Sequence, residues 1–140
     1  MKELFDEVSF DTSKLVTKKY STSFSLAVKM LSTSIRSSIY NIYGFVRFAD
    51  EIVDTFHDYK KEELLDDFEN EYYKAIENGI SLNPILNSFQ ATVKDITSLT
   101  ILLRLFLKVC VQIYLKQNTK LKKSITSTFM VLLMLLVLCA

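Results

Sequence analysis

Two aspartates four residues apart, Asp50 and Asp54, interrupt the aromatic, apolar run YGFVRFADEIVDTF, and Arg47 stands just before them. Each residue of a helix advances about 100° around the axis. With Tyr43 at zero, Arg47 falls near ~40°, Asp50 near ~340° and Asp54 near ~20°, so the four side chains share one stripe roughly 60° wide. Phe45, Phe48, Ala49, Ile52, Val53 and Phe56 occupy the opposite arc. Carboxylates at i and i+4 lie about 5–6 Å apart at Cβ and repel unless something cationic sits between them.

Two chemistries suit this stripe. The ordinary one is the solvated face of an amphipathic helix, with Arg47 easing the repulsion through its i+3 neighbour Asp50. Spacing alone favours it, because charge stripes usually face water. The other is a Mg²⁺ site. Magnesium takes a few carboxylate oxygens, keeps several waters and binds substrate phosphates with the rest. Arg47 would suit the same anion. Elsewhere, Ser21 and Ser23 read as helix-surface hydroxyls, Phe24 as core, Tyr43 as a core-edge ring and His57 as a surface residue near a helix end.

The elements that carry these residues read as helices. Asp11, Thr12 or Ser13 can cap a first helix whose apolar positions include Leu15, Val16 and Tyr20, continuing through Phe24, Ala27, Val28 and Leu31. Ser32, Thr33 and Ser34 interrupt it and offer a new cap. A second helix runs from about residue 35 to 56. A third carries Leu64, Leu65, Phe68, Tyr72, Ala75 and Ile76 at helical spacing and stops at Asn78-Gly79. Asn83-Pro84 opens a fourth, with Ile85, Leu86, Phe89 and Val93 as its apolar positions. Two glycines and one proline in 140 residues disfavour a turn-rich β fold. The fold class expected for residues 1–95 is all-α.

The chain is long enough for one domain with a real core. A formal net charge of +1 gives no ground for a nucleic-acid partner, and none is expected. Cys110 and Cys139, with His57 the only histidine, form neither a disulfide framework nor a metal-ligand spacing. The acidic start MKELFDEVSFD lacks a signal peptide's apolar run, so a cytoplasmic location is expected.

The even charge hides a break. All 16 acidic residues lie at or before Asp95, whereas residues 96–140 hold six Lys/Arg, 12 leucines and no Asp, Glu, Gly, Pro or His. Two kinds of sequence meet near residue 95. The last 16 residues are uncharged and largely apolar, with Lys120, Lys122 and Lys123 as a basic flank. That is short of the roughly 20 residues a membrane span needs. A peripheral membrane association through this tail is compatible with it.

The segments YSTSFSLAVKML and IYNIYGFVRFADEIVD together resemble the N-terminal part of the squalene/phytoene synthase family, over roughly residues 14–95. Within that family the chain is most similar to phytoene synthases. The resemblance rests on Ser21-x-Ser23-Phe24 on one helix and Tyr43-x-x-x-Arg47-x-x-Asp50-x-x-x-Asp54 on the next. It implies an all-helical isoprenoid-synthase fold around a central cavity, and head-to-head condensation of two prenyl diphosphates, geranylgeranyl diphosphate above all. It further implies that Asp50 and Asp54 ligate Mg²⁺ and that Arg47 stabilises the departing diphosphate. Tyr43, Ser21 and Ser23 would line the polar end of the cavity, and Phe24 would touch the prenyl chain.

The same resemblance demands a second aspartate-rich motif downstream, and no acid follows Asp95. The chain as written is therefore expected to turn over poorly or not at all. A frameshift near Ile96 would explain the lost acids and glycines and the excess leucine together. One permitted encoding of LFLKVCVQIYL, read from its third nucleotide, gives Phe-Leu-Lys-Ser-Met-Arg-Ala-Asp-Leu-Ser. The same offset in TFMVLLMLLVLCA gives Val-Tyr-Gly-Ser-Ala-Asp-Val-Val-Gly-Leu-Met-Cys. Both resemble what a phytoene synthase carries next. Nucleotide sequencing across codons 94–98 is expected to show the shifted frame; one intact frame with unrelated codons would refute it. The competing expectations are a squalene or dehydrosqualene synthase, and a small membrane-anchored helical protein without catalysis.

Overall fold

The computed structural model describes residues 1–95, which form five α-helices and no strand. In chain order these are α1 (Lys2–Tyr20), α2 (Thr22–Val28), α3 (Thr33–Asp54), α4 (Lys61–Asn78) and α5 (Pro84–Asp95). The all-α expectation holds for this part. The apolar tail, with its short candidate span and the composition break, lies outside the described residues. No helix among the described residues is long and apolar enough to cross a membrane.

Helices α1, α3 and α5 pack pairwise on one another, α4 lies against α3 and α5, and α2 against α1. The apolar core sits where α3, α4 and α5 meet. Phe45 stacks on Phe89 with ring centroids 4.0 Å apart and 9° between planes. Phe68 and Tyr72 close on Phe45 from α4, at 5.2 and 5.4 Å. Ile39, Ile42, Ile85 and Leu86 are buried around them.

Several boundaries follow from local chemistry. Asn83 Oδ1 accepts a hydrogen bond from the Ile85 amide at 3.0 Å, so the Asn-Pro pair starts α5 as its sequence suggests. Gly79 takes the left-handed conformation (φ 69°) that ends α4. Between α2 and α3, Arg36 donates to the carbonyls of Leu31 and Lys29 at 2.9 and 2.7 Å. Ser32 precedes α3 but makes no capping bond with its side chain; its hydroxyl meets that of Ser34 instead.

The first helix differs from its sequence reading. It begins at Lys2, nine residues before the expected cap, and breaks at Tyr20 rather than running on to Leu31. Its buried face is also another one. Leu15 is 55 % exposed, whereas Ser9, Ser13 and Thr17 are fully buried. Ser9 and Thr17 donate to carbonyls one turn back, on Phe5 and Ser13, at 2.8 and 2.9 Å. Hydroxyls satisfied within their own helix can be buried at little cost. Small side chains then admit a close neighbour. A Cβ placed on Gly44 would lie 3.2 Å from Ser13 Oγ and 3.4 Å from Ile85 Cδ1.

The third face of this contact is polar too. Ser13 and Ser88 share a 2.6 Å hydroxyl–hydroxyl bond, and Asn87 donates to Asp6 and Ser9 at 2.9 and 3.1 Å. Asn41 donates to Thr92 at 3.0 Å. Helix α5 is thus buried nearly all round, with hydroxyls and amides meeting α1 and α3 and apolar side chains meeting the aromatic core. Because Ser13 is pinned by Ser88, it cannot yield to a bulky neighbour. Gly44→Val should cost about 1–3 kcal/mol by overpacking, read as a lower urea midpoint with unchanged slope.

Candidate functional site

The stripe read from the sequence exists on α3, but it is not a solvated face along its length. Asp50 is 8 % exposed, Tyr43 and Arg47 are half-buried, and Asp54, at the last turn, is exposed. The opposite arc is buried as well, through Phe45 and Ile52. Only the Asp54 end keeps the ordinary reading.

The break between α1 and α2 brings the first motif to this stripe. Ser21 sits in extended backbone (φ −146°, ψ 95°), and its hydroxyl accepts from the Phe24 amide at 3.3 Å as the cap of α2. A continuous helix would carry Phe24 elsewhere. Here its ring stacks on Tyr43 with centroids 4.9 Å apart. Burial pushes the Tyr43 hydroxyl above its ordinary value, opposed by the Arg47 guanidinium and by a hydrogen bond with the Ser21 side chain. A phenol is protonated at neutral pH in any case, so Tyr43 can donate. Ser21, Phe24, Tyr43, Arg47 and Asp50 are one assembly. Ser23 is exposed on α2 and is not brought into it by any contact described.

Arg47 is the centre of the charge network. Its Nη1 donates to Asp50 Oδ2 at 3.0 Å and its Nη2 to Glu51 Oε2 at 2.8 Å. Its guanidinium carbon lies 4.5 Å from the centroid of the Tyr20 ring. Its Nε is buried and makes no hydrogen bond among the described residues. Tyr20 and Glu51 were missed by the sequence reading. Glu51 had a legible signal, being i+4 from Arg47. Tyr20 read as a core position of a continuous helix and had none.

A cleft of about 430 Å³ lies beside this ridge. Tyr20 and Glu51 line it together with Phe48, Phe56, Leu64 and Phe68. Glu51 is among its lining residues, and Asp50 and Asp54 are not. His57 is exposed and 2.9 Å from Lys61 Nζ, which also donates to the Val53 carbonyl at 3.0 Å. It is a helix-end residue, as read.

No group of three or more His, Cys, Asp or Glu side chains suited to a metal occurs among the described residues. Magnesium is typically held by one or two carboxylates and completed by waters and substrate phosphates. Asp50 and Asp54, one turn apart on one face, are such a donor set.

Fold and site together define an all-helical protein with a carboxylate–guanidinium ridge set against an aromatic pair. The family model for squalene/phytoene synthase matches residues 17–110, about two-thirds of the chain, and the chain belongs to that family, whose members are prenyltransferases. The match runs past the composition break at residue 95. No curated protein and no solved structure matches the chain.

Proposed function

We propose that residues 1–95 are the part of a phytoene synthase-like prenyltransferase that receives the diphosphate of geranylgeranyl diphosphate, for carotenoid synthesis, on Mg²⁺ held by Asp50 and Asp54. The observation that carries this is the convergence of Ser21, Phe24, Tyr43, Arg47 and Asp50 from two helices that a kink at Ser21 brings together. The two motifs lie on different helices, and their meeting sets an aromatic pair beside a cation and a carboxylate.

Each group has a task in this reading. Each Nη of Arg47 carries a second proton beyond the one given to its carboxylate, so the guanidinium can still donate to a diphosphate oxygen. The Tyr43 hydroxyl offers a further donor. Phe24 supplies an apolar face for the hydrocarbon next to the polar end. Bound Mg²⁺ would supply neutralisation of the leaving diphosphate's charge. Preorganised charges of this kind give most in a site sheltered from water.

Residues 96–140 contain no Asp or Glu, so they supply no carboxylates to a second diphosphate. Binding without condensation is the corresponding expectation, in the cytoplasm or at the membrane surface. The test is titration of the chain with a geranylgeranyl thiolodiphosphate, which cannot ionise readily, with and without Mg²⁺. Saturable, Mg²⁺-dependent binding is expected. Its absence would refute the reading.

A further inference from the structure

Arg47 is held on three sides, and only two of the holders belong to the acidic ridge. Asp50 and Glu51 each take one Nη. These bonds fix the guanidinium at its edges, in the plane of the fork. They do not fix the tilt of that plane, and the Nε, which could do so by a third bond, has no partner among the described residues. The guanidinium carbon instead lies over the Tyr20 ring, 4.5 Å from its centroid. Tyr20 is the last residue of α1, directly before the extended Ser21. The kink that delivers Phe24 to Tyr43 therefore also leaves the Tyr20 ring under Arg47.

We infer that Tyr20 is a positioning residue: its ring presents the Arg47 guanidinium to the anionic end of the substrate. The inference rests on the reading of Arg47 as a diphosphate-binding residue, and adds a partner to it. A ring face attracts a cation without offering an acceptor that would compete with a phosphate for its protons. A contact with a ring takes up none of the fork's N–H donors, whereas a further carboxylate would. Tyr20 is 46 % exposed, so packing alone gives the position little reason to be aromatic. Its ring also lines the 430 Å³ cleft, opposite α4 side chains Leu64 and Phe68.

The experiment compares two ligands on the full chain in the presence of Mg²⁺: geranylgeranyl thiolodiphosphate and geranylgeraniol, which shares the hydrocarbon and lacks the anion. Tyr20→Leu keeps an apolar side chain and removes the ring face; Tyr20→Phe keeps the face and removes the hydroxyl. Leucine should weaken the diphosphate ligand about three- to fivefold, the size expected of a partly exposed cation–π contact, and leave the alcohol unchanged. Phenylalanine should bind both like the unaltered chain. Equal weakening of both ligands by leucine would make Tyr20 a packing residue and overturn the inference. Unchanged diphosphate binding by Tyr20→Leu would also overturn it; loss of that binding in Arg47→Gln would then show the diphosphate site itself to stand. Failure of the unaltered chain to bind the thiolodiphosphate at all would overturn both.

Discussion

Replacing Asp50 by asparagine should lower the Mg²⁺-dependent affinity for a prenyl thiolodiphosphate about 100-fold, or about 2.7 kcal/mol at 1.36 kcal/mol per decade. The substitution keeps size and shape and removes one negative charge. Magnesium is a hard cation that takes anionic oxygen, and an amide oxygen is a poor substitute where only two carboxylates are offered. Asp50 is also the more sheltered of the pair, at 8 % exposure, so its charge acts through less water than that of exposed Asp54. Asp54→Asn should therefore cost less, about 10-fold.

Asp50 also accepts from Arg47, so the variant weakens one hold on the guanidinium. Glu51 retains the other. The two effects separate on removing Mg²⁺: the metal-dependent part of the affinity should vanish, while residual anion binding through Arg47 stays. Calorimetric titration with and without Mg²⁺ measures both. Equal affinity of Asp50→Asn and the unaltered chain in saturating Mg²⁺ would refute the metal role.

The largest stability loss should come from Phe89→Ala, about 3–5 kcal/mol. Phe89 is wholly buried and lies nearly parallel to Phe45 at 4.0 Å, with Tyr72 at 5.7 Å. One ring thus joins α5 to α3 and α4. Removing it forfeits the transfer free energy of the ring and leaves a cavity that three helices would have to close. Against a typical total of about 5–15 kcal/mol, such a loss leaves little. Phe45 lies on the arc of α3 opposite Arg47 and Asp50, so loosening this cluster should also loosen the helix that carries the site. Urea unfolding measures the loss; a change below about 1 kcal/mol would mean that the cluster repacks. Phe89→Leu, which keeps much of the volume, should cost markedly less.

How much of this was legible varied with the kind of contact. Where burial is apolar, periodicity found it: Leu65, Phe68, Tyr72 and Ala75 on α4, and Ile85, Leu86, Phe89 and Val93 on α5, are the buried positions expected. Leu64 was expected with them and is 38 % exposed. Where burial is polar, periodicity pointed the wrong way. Ser9, Ser13 and Thr17 form the hidden face of α1 while Leu4, Val8 and Leu15 face outward. A hydroxyl bonded back into its own helix no longer needs water, and no sum over hydropathies contains that bond.

The site divides along the same line. Sequence by itself determined that Tyr43, Arg47, Asp50 and Asp54 share a face, because helical pitch is local and the spacing is enough. It also supplied the family, through an ordered set of residue types. Tertiary structure alone decided that Asp50 is sheltered while Asp54 is exposed, that Ser21 breaks one helix and caps another, and that Ser23 stays outside the assembly. Only the fold, likewise, set Tyr20 beneath Arg47. The physical reason is that exposure and contact between helices depend on where whole elements come to rest, and a kink at one residue moves everything after it.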